Sequence, residues 1–508
     1  MSVHALHCPA VTGSCLCNSP LLSLLNRWLT TAFAQRAHLR QEGARAAGTT
    51  FMTTAQDKSG GATRAEAHDL AAPAAQPAAQ TGQPTVLFRK VRVFDGIGPS
   101  LSAPAYVLVE GNTITRITNR EPSPPPGTLV IDGDGRTLMP GMIDAHAHTL
   151  FAGIPLMQLL TADIGYVNLV AAGVCADMLQ RGFTTVRDMQ GPVFGLKQAI
   201  DSNLIPGPRI YPSGAMISQT SGHADFRLIS ELPRNPAAPL SHSEVMGAAA
   251  IADGVDAVLR ATREQLMRGA SQIKIAGGGG VSSSHDPLDV TQYSEAEIRA
   301  AVGAAEDWNT YVAMHVYTPR AIQRGINAGV RSIEHGHLAD DATARLMADR
   351  GIWWSLQPFT AEYPATFAPG SPNEAKHHIV VDGTDRAYQL ARRYGVKTAW
   401  GTDLLFNRAG LTFQNTSLPI MTRWYTPPEV LKLVTSDNAA LLAMSGPRNP
   451  YPGQLGVVRE QALADLLLVD GDPTEDLGTL GDPERNLLLV MKDGRIARQA
   501  ANVAAATR

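Results

Sequence analysis

Between residues 141 and 446 the sequence carries eight short β-type runs, most of them separated by helical ones. In order they are GMIDAHAH, FTTVRDM, RIYPSGAMIS, SQIKIAG, TYVAMHVY, RSIEHGH, IWWSLQP and VKTAWGTD. The helical runs carry their own end signals. SEAEIRAAVGAAEDWN starts with a capping box, Ser294 with Glu297 at the third helical position. TPRAIQRGINAG opens on Thr318 and Pro319 and closes on Gly329, the residue types that suit helix ends. Eight such units in about 300 residues predict a (β/α)8 barrel, which typically takes about 250 and gains length in its loops. A doubly wound open sheet is the alternative, but its G-x-G-x-x-G marker between a strand and a helix is missing.

β-rich runs flank this segment at both ends. TVLFRKVRVFDG, AYVLVEGNTITRITN and TLVIDGDGRTLMPG precede it, with Gly, Asn and Asp turn signals between them. GVVREQALADLLLVDGD and NLLLVMKDGRIAR follow it. Strand clusters at opposite chain ends can pair into one small domain that the intervening segment interrupts. The predicted class is therefore α/β: a (β/α)8 TIM barrel over 141–446, with a small composite β-sandwich domain built from 85–140 and 447–500.

Residues 1–84 read as a disordered or targeting extension. PLLSLLNRWLTTAFAQ resembles a short apolar signal core followed by a cleavage site at Ala32-Phe33-Ala34. Against this, no lysine or arginine precedes Arg27, and Asn26 and Arg27 interrupt the apolar run. Met52 is an alternative start, and AAPAAQPAAQTGQP at 71–84 has too little apolar bulk to fold. The expected location is cytoplasmic, with export through an atypical N-terminal signal as the alternative. Of four cysteines, Cys8, Cys15 and Cys17 lie in this extension and only Cys175 in the body, so no disulfide framework is expected. The tail cysteines with His4 and His7 match no zinc-module spacing.

Composition excludes some functions. A formal net charge of −3 over 508 residues gives no electrostatic footprint for nucleic acid. No run reaches the ~18 uninterrupted apolar residues of a membrane span. With 44% hydrophobic and 18% charged residues, the chain reads as an ordinary globular enzyme.

In a barrel, chemistry collects where the strands end. The first run ends in DAHAH, so His146 and His148 share a face and can share a metal. The fifth offers His315, the sixth His335 and the eighth Asp403, all at equivalent places. Imidazole nitrogen and carboxylate oxygen suit zinc, with room for an open coordination position. The fourth run sets Lys274 opposite Ile273 and Ile275 and then enters four glycines. A lone buried lysine needs something that neutralises it. A phosphate-cradling glycine loop would need a helix directly afterwards, but VSSSHDPLDVTQY intervenes. Without side chains, the glycines instead let the chain turn away tightly and leave room for substrate.

PGMIDAHAH, Lys274, His315, His335, GTD and the closing ADLLLVDGDP together resemble the metal-dependent amidohydrolase superfamily over roughly 85–500. TTVRDMQG, IKIAGGGGVSSSHDP, YSEAEIRAAVGAAE and SIEHGHL are most similar to its branch of Xaa-Pro dipeptidase-like carboxypeptidases and ochratoxin-hydrolysing amidohydrolases. The resemblance implies cleavage of an amide bond to an amino acid with a free carboxylate, in a small-molecule or short-peptide substrate, ochratoxin A hydrolysis being one instance. It also implies two divalent ions, Zn2+, bridged by a CO2-derived carbamate on Lys274. His146, His148 and Asp403 would hold one ion, His315 and His335 the other, and Asp403 would serve as general acid and base. A homo-oligomer is implied as well.

On the substrate side the resemblance points to His223 and Tyr293, and to Arg299, whose alternative is a solvated helix face. Tyr317 faces the same way as His315 and can donate to a developing oxyanion. His337 shares a face with His335, and His285 is read as a polar loop residue. The competing reading within the superfamily is a mononuclear-metal deaminase or cyclic-amide hydrolase, which lacks a bridging lysine. A non-catalytic relative would be expected to lose ligands, and all six are present.

Overall fold

The computed structural model describes residues 85–234, 239–503 and 505–507. The expectations for residues 1–84, among them the cleavage site, the tail cysteines and the linker, lie outside the described residues. Among the described residues, no helix is long and apolar enough to cross a membrane.

The barrel strands are β1 (Met142–Ala147), β2 (Phe183–Asp188), β3 (Arg209–Pro212), β4 (Ile273–Ala276), β5 (Val312–Val316), β6 (Ser332–His335), β7 (Trp353–Leu356) and β8 (Lys397–Trp400). All pair in parallel, β1 to β3 in one ladder and β4 to β8 in another. Most are buried on both faces, as strands covered by helices must be; every residue of β1, β2 and β5 is buried. RIYPSGAMIS, expected as one strand, forms two. Its first part pairs with β2, whereas Met216–Ser218 pairs with β4 and with Ala249–Ile251. The break falls at Gly214, where φ is +75° and an added Cβ would lie 2.4 Å from Gln265 Oε1.

Two seams join the ladders. The Ser271 N–H donates to the Pro212 carbonyl at 2.8 Å, and the Asp403 N–H donates to the His146 carbonyl at 2.8 Å. Asp144 staples the second seam, accepting from Thr402 Oγ1 at 2.6 Å and from Gln414 Nε2 at 3.0 Å.

Helices α1 (Ile164–Gln180), α2 (Phe194–Asp201), α3 (Val255–Met267), α4 (Glu295–Asp307), α5 (Pro319–Ala328), α6 (Asp341–Asp349) and α7 (Pro372–Tyr394) connect the strands. The capping box of α4 forms: Ser294 Oγ accepts from the Glu297 N–H, and Glu297 Oε2 accepts from the Ser294 N–H at 2.8 Å. Helix α5 starts at Pro319 and stops at Gly329, φ +103°.

Both chain ends build the second layer. Thr137–Pro140 runs antiparallel to Leu466–Val469, with Leu466 opposite Pro140, inside a nine-stranded sheet that also contains Val86–Val93 and Leu487–Lys492. Phe88, Val107, Ile131, Leu466 and Leu489 bury a separate apolar core there. Arg209 at the start of β3 clasps this domain to the barrel. It donates to Asp465 Oδ2 at 2.8 Å and to Asp493 Oδ1 at 2.7 Å. The fold is thus a TIM barrel with a composite β-sandwich.

Candidate active site

The C-terminal ends of the barrel strands converge on one cavity of about 860 Å3, counted with its open mouth. His146, His148, Lys274, His315, His335 and Asp403 all line it, and so do His223 and Tyr317. Two of these hold backbone conformations that non-glycine residues rarely adopt: φ is +72° at His335 and +55° at Asp403. Strain of this kind persists where surrounding bonds over-determine it. For Asp403 those bonds are its N–H to His146 and the Tyr363 hydroxyl, which donates to its carbonyl at 2.6 Å.

The orientation of His146 is set from inside the barrel. Its Nδ1–H donates to Glu334 Oε2 at 2.8 Å, and Glu334 takes both hydrogen bonds from Arg187 Nη2, at 2.7 and 2.9 Å. Ser332 Oγ adds a third donor at 2.6 Å. Burial alone would raise the Glu334 pKa, but the Arg187 guanidinium outweighs it and holds the carboxyl well below its usual range. The imidazole is therefore locked with Nδ1 protonated, and Nε2 is a buried atom with no hydrogen-bond partner, 3.5 Å from Asp403 Oδ1. Gln357 does the same for His335, accepting from Nδ1–H at 2.7 Å.

Glu334, Arg187 and Gln357 were not singled out in the sequence. The available signal was a carboxylate and a guanidinium inside otherwise apolar β runs, where an unpaired charge is not tolerated.

His146, His335 and Asp403 bring one ligand atom each to within 4.8 Å of one another. Two imidazoles, one of them with an orphaned buried Nε2, and a carboxylate fit a divalent ion. Burial, and then Lys274, push His146 down to about 4, which leaves its imidazole neutral as a ligand must be. Burial would raise Asp403, but His146 and His148 bring it down to about 2, so it is ionised. His148 Nε2 lies 2.9 Å from Asp403 Oδ1 and orients that carboxylate.

The binuclear centre with a carbamate on Lys274, expected from the resemblance, is overturned. Among the described residues only the one three-ligand group assembles. His315 is turned to other partners. Its Nε2 is 3.2 Å from the Gly279 carbonyl, and its ring stacks on His223 with centroids 3.8 Å apart. Lys274 is buried, and burial pushes its ammonium down to about 8. The geometry is that of a single-ion site.

Three expected substrate contacts also lie elsewhere. The Tyr293 hydroxyl donates to the Ala252 carbonyl at 2.9 Å, away from the cavity lining. Arg299 is exposed on α4, paired with Glu295 at 2.6 Å and donating to the Asn327 carbonyl at 2.8 Å. His337 is buried, with its Nε2 spent on the Gln357 carbonyl at 2.9 Å. His285 is an exposed loop residue, as expected.

Beside the His146, His335 and Asp403 group the cavity lining is apolar. Phe226, Phe359, Tyr363, Phe367, Val380 and Phe406 supply this wall. Phe359 and Tyr363 pack edge to face with centroids 4.9 Å apart, and Tyr363 packs likewise on Phe413.

Comparison with known proteins follows the same lines. The model of the amidohydrolase family matches residues 137–497. An ochratoxinase from Aspergillus niger is 34% identical over 385 residues, which cover 71% of this chain and 75% of that protein. The crystal structure of an amidohydrolase is 38% identical with a TM-score of 0.76, covering 82% of this chain and all of that one. The structure of a prolidase complexed with N-methylphosphonate-L-proline is 36% identical, TM-score 0.74, with 82% of this chain covered and 100% of that one. The chain is a hydrolase that belongs to the amidohydrolase family, in its Xaa-Pro dipeptidase and ochratoxinase-like branch.

Proposed function

We propose that this chain is a single-metal hydrolase that breaks an amide-type C–N bond, open-chain or cyclic, in a small-molecule or short-peptide substrate. The observation that carries the reading is the His146, His335 and Asp403 group, the one such group among the described residues, with His146 Nε2 lacking a hydrogen-bond partner in a largely apolar cavity. The family and the prolidase and ochratoxinase names of its relatives support an amide as the scissile group.

His146, His335 and Asp403 would hold a divalent ion, Zn2+ by their donor chemistry, which would supply polarisation of a carbonyl and a lowered pKa of water. The chain's residues supply the rest. Glu334 keeps His146 in the tautomer that turns Nε2 to the cavity. Asp403, ionised and held by His148, takes a proton from the attacking water and passes it to the departing nitrogen. Tyr317, which burial holds well above the usual tyrosine range, stays protonated and donates to the developing oxyanion. The aromatic wall packs the apolar part of the substrate and keeps bulk water from the polar group.

Deamination is a second reading, because the same one-ion group serves attack at a C–N bond that releases ammonia. One panel separates the two: N-acyl amino acids, dipeptides, cyclic amides and exocyclic amines, assayed with metal-depleted protein before and after adding Zn2+. Amide cleavage that returns with Zn2+ is expected. Ammonia release from the amines alone would move the assignment to the second reading. Cleavage indifferent to chelation would overturn both.

A further inference from the structure

One ammonium ties helix α7 to the glycine loop that follows β4. Lys376, on the first turns of α7, aims Nζ at three main-chain carbonyls: Gly280 and Ser283, each at 2.6 Å, and Asp286 at 3.3 Å. Asn373, one turn earlier, donates Nδ2 to the Val281 and Ser283 carbonyls at 2.5 and 3.0 Å. The loop gathered in this way fixes His223. Ser283 Oγ lies 2.7 Å and Asp286 Oδ2 3.3 Å from His223 Nδ1, while the same Asp286 oxygen accepts from the Gly280 N–H at 2.7 Å.

The packing leaves little play. A Cβ on Gly280 would fall 1.9 Å from His223 Nδ1, so the ring rests on bare backbone. The other face of that ring lies on His315, inclined by 10°. Helix α7 meanwhile carries His377 and Val380 into the cavity lining. The helix that lends residues to the cavity lining is therefore also the anchor of the 280–286 loop.

We propose that Lys376 is a positioning residue for the cavity: its ammonium gathers the 280–286 loop onto α7 and thereby holds the His223 ring in place. The side chain is only half-buried, so its removal leaves the barrel core untouched. What is lost is a cation at the focus of three carbonyls, and a hydrogen bond from a charged group is worth more than one from a neutral group. The proposal goes beyond the reaction proposed above, and its first readout needs no substrate.

The test is amide hydrogen exchange of residues 279–287 in the full chain and its Lys376→Ala variant, with metal content measured alongside. Exchange in that segment is expected to quicken at least about tenfold with metal content unchanged. Propylammonium, which refills the vacated slot with a cation, is expected to restore protection, whereas propanol is not. For any substrate the parent cleaves, KM is expected to rise about tenfold and kcat to fall by less. Exchange like the parent's, protection restored equally by propanol or by neither additive, loss of metal, or an unchanged KM would each overturn the proposal. If the parent cleaves nothing in the panel, the proposed reaction fails while the exchange result still judges Lys376.

Discussion

The Arg209 clasp beneath the barrel and the mouth at its strand ends treat buried polar atoms in opposite ways. In the clasp, Arg209, Asp465 and Asp493 satisfy one another, and neither Arg209 nor Asp465 leaves a buried polar atom without a partner. The Tyr451 hydroxyl joins in, accepting from the Ile210 N–H at 2.9 Å. At the mouth, His146 Nε2 and His148 Nδ1 are buried without hydrogen-bond partners, and His335 and Asp403 sit in left-handed backbone. Folded chains pair nearly all buried polar groups, and the exceptions collect where a ligand completes the set. The clasp is built for stability and the mouth for binding.

That contrast can be broken by substitution. The largest effect is expected from Asp403→Asn, which removes the proton carrier: turnover should fall about 10²–10⁴-fold with little change in thermal midpoint. Steady-state kinetics with a melting curve checks it; near-normal turnover would remove Asp403 from the reaction. Arg209→Met should do the reverse. Leaving the buried Asp465 without its cation costs about 3–5 kcal/mol in denaturant unfolding, with metal affinity of the folded protein unchanged. A matching fall in metal affinity would show that the two regions are not separable.

Glu334→Gln lies between the regions. It should weaken metal binding about 10–100-fold, as read by competition with a chelator on folded protein, because His146 loses its orienting carboxylate. Unaltered affinity would make Glu334 merely the partner of Arg187. The smallest effect is expected from Gly280→Ala, where the added methyl must displace the His223 ring. The overpacking is worth about 1–3 kcal/mol, divided between stability and KM. A change in neither would mean that the ring is free to move.

Much of this was legible in the chain. Strand ends could be located from period and turn chemistry, which placed His146, His148, His315, His335 and Asp403 at one mouth. The paired β clusters at 85–140 and 447–500 announced a shared sheet, and Thr137–Pro140 does pair with Leu466–Val469. What spacing does not carry is distance between side-chain tips. His315 shares the mouth with the other histidines, but its nitrogen and ring are turned to Gly279 and His223, and among the described residues a second ligand group does not form. Tyr293 was read as facing substrate, but it sits in left-handed backbone, φ +57°, and its hydroxyl reaches Ala252. Arg187 and Glu334 are 147 residues apart, and no local pattern announces a pair closed across the barrel.

The claim on which the account turns is one ion per chain, held by His146, His335 and Asp403. Metal content per chain after saturation with Zn2+ and desalting tests it most directly, compared across the parent, His335→Ala and Lys274→Met. One ion in the parent, close to none in His335→Ala and one in Lys274→Met is the predicted result. Two ions in the parent, falling when Lys274 is replaced, would contradict it.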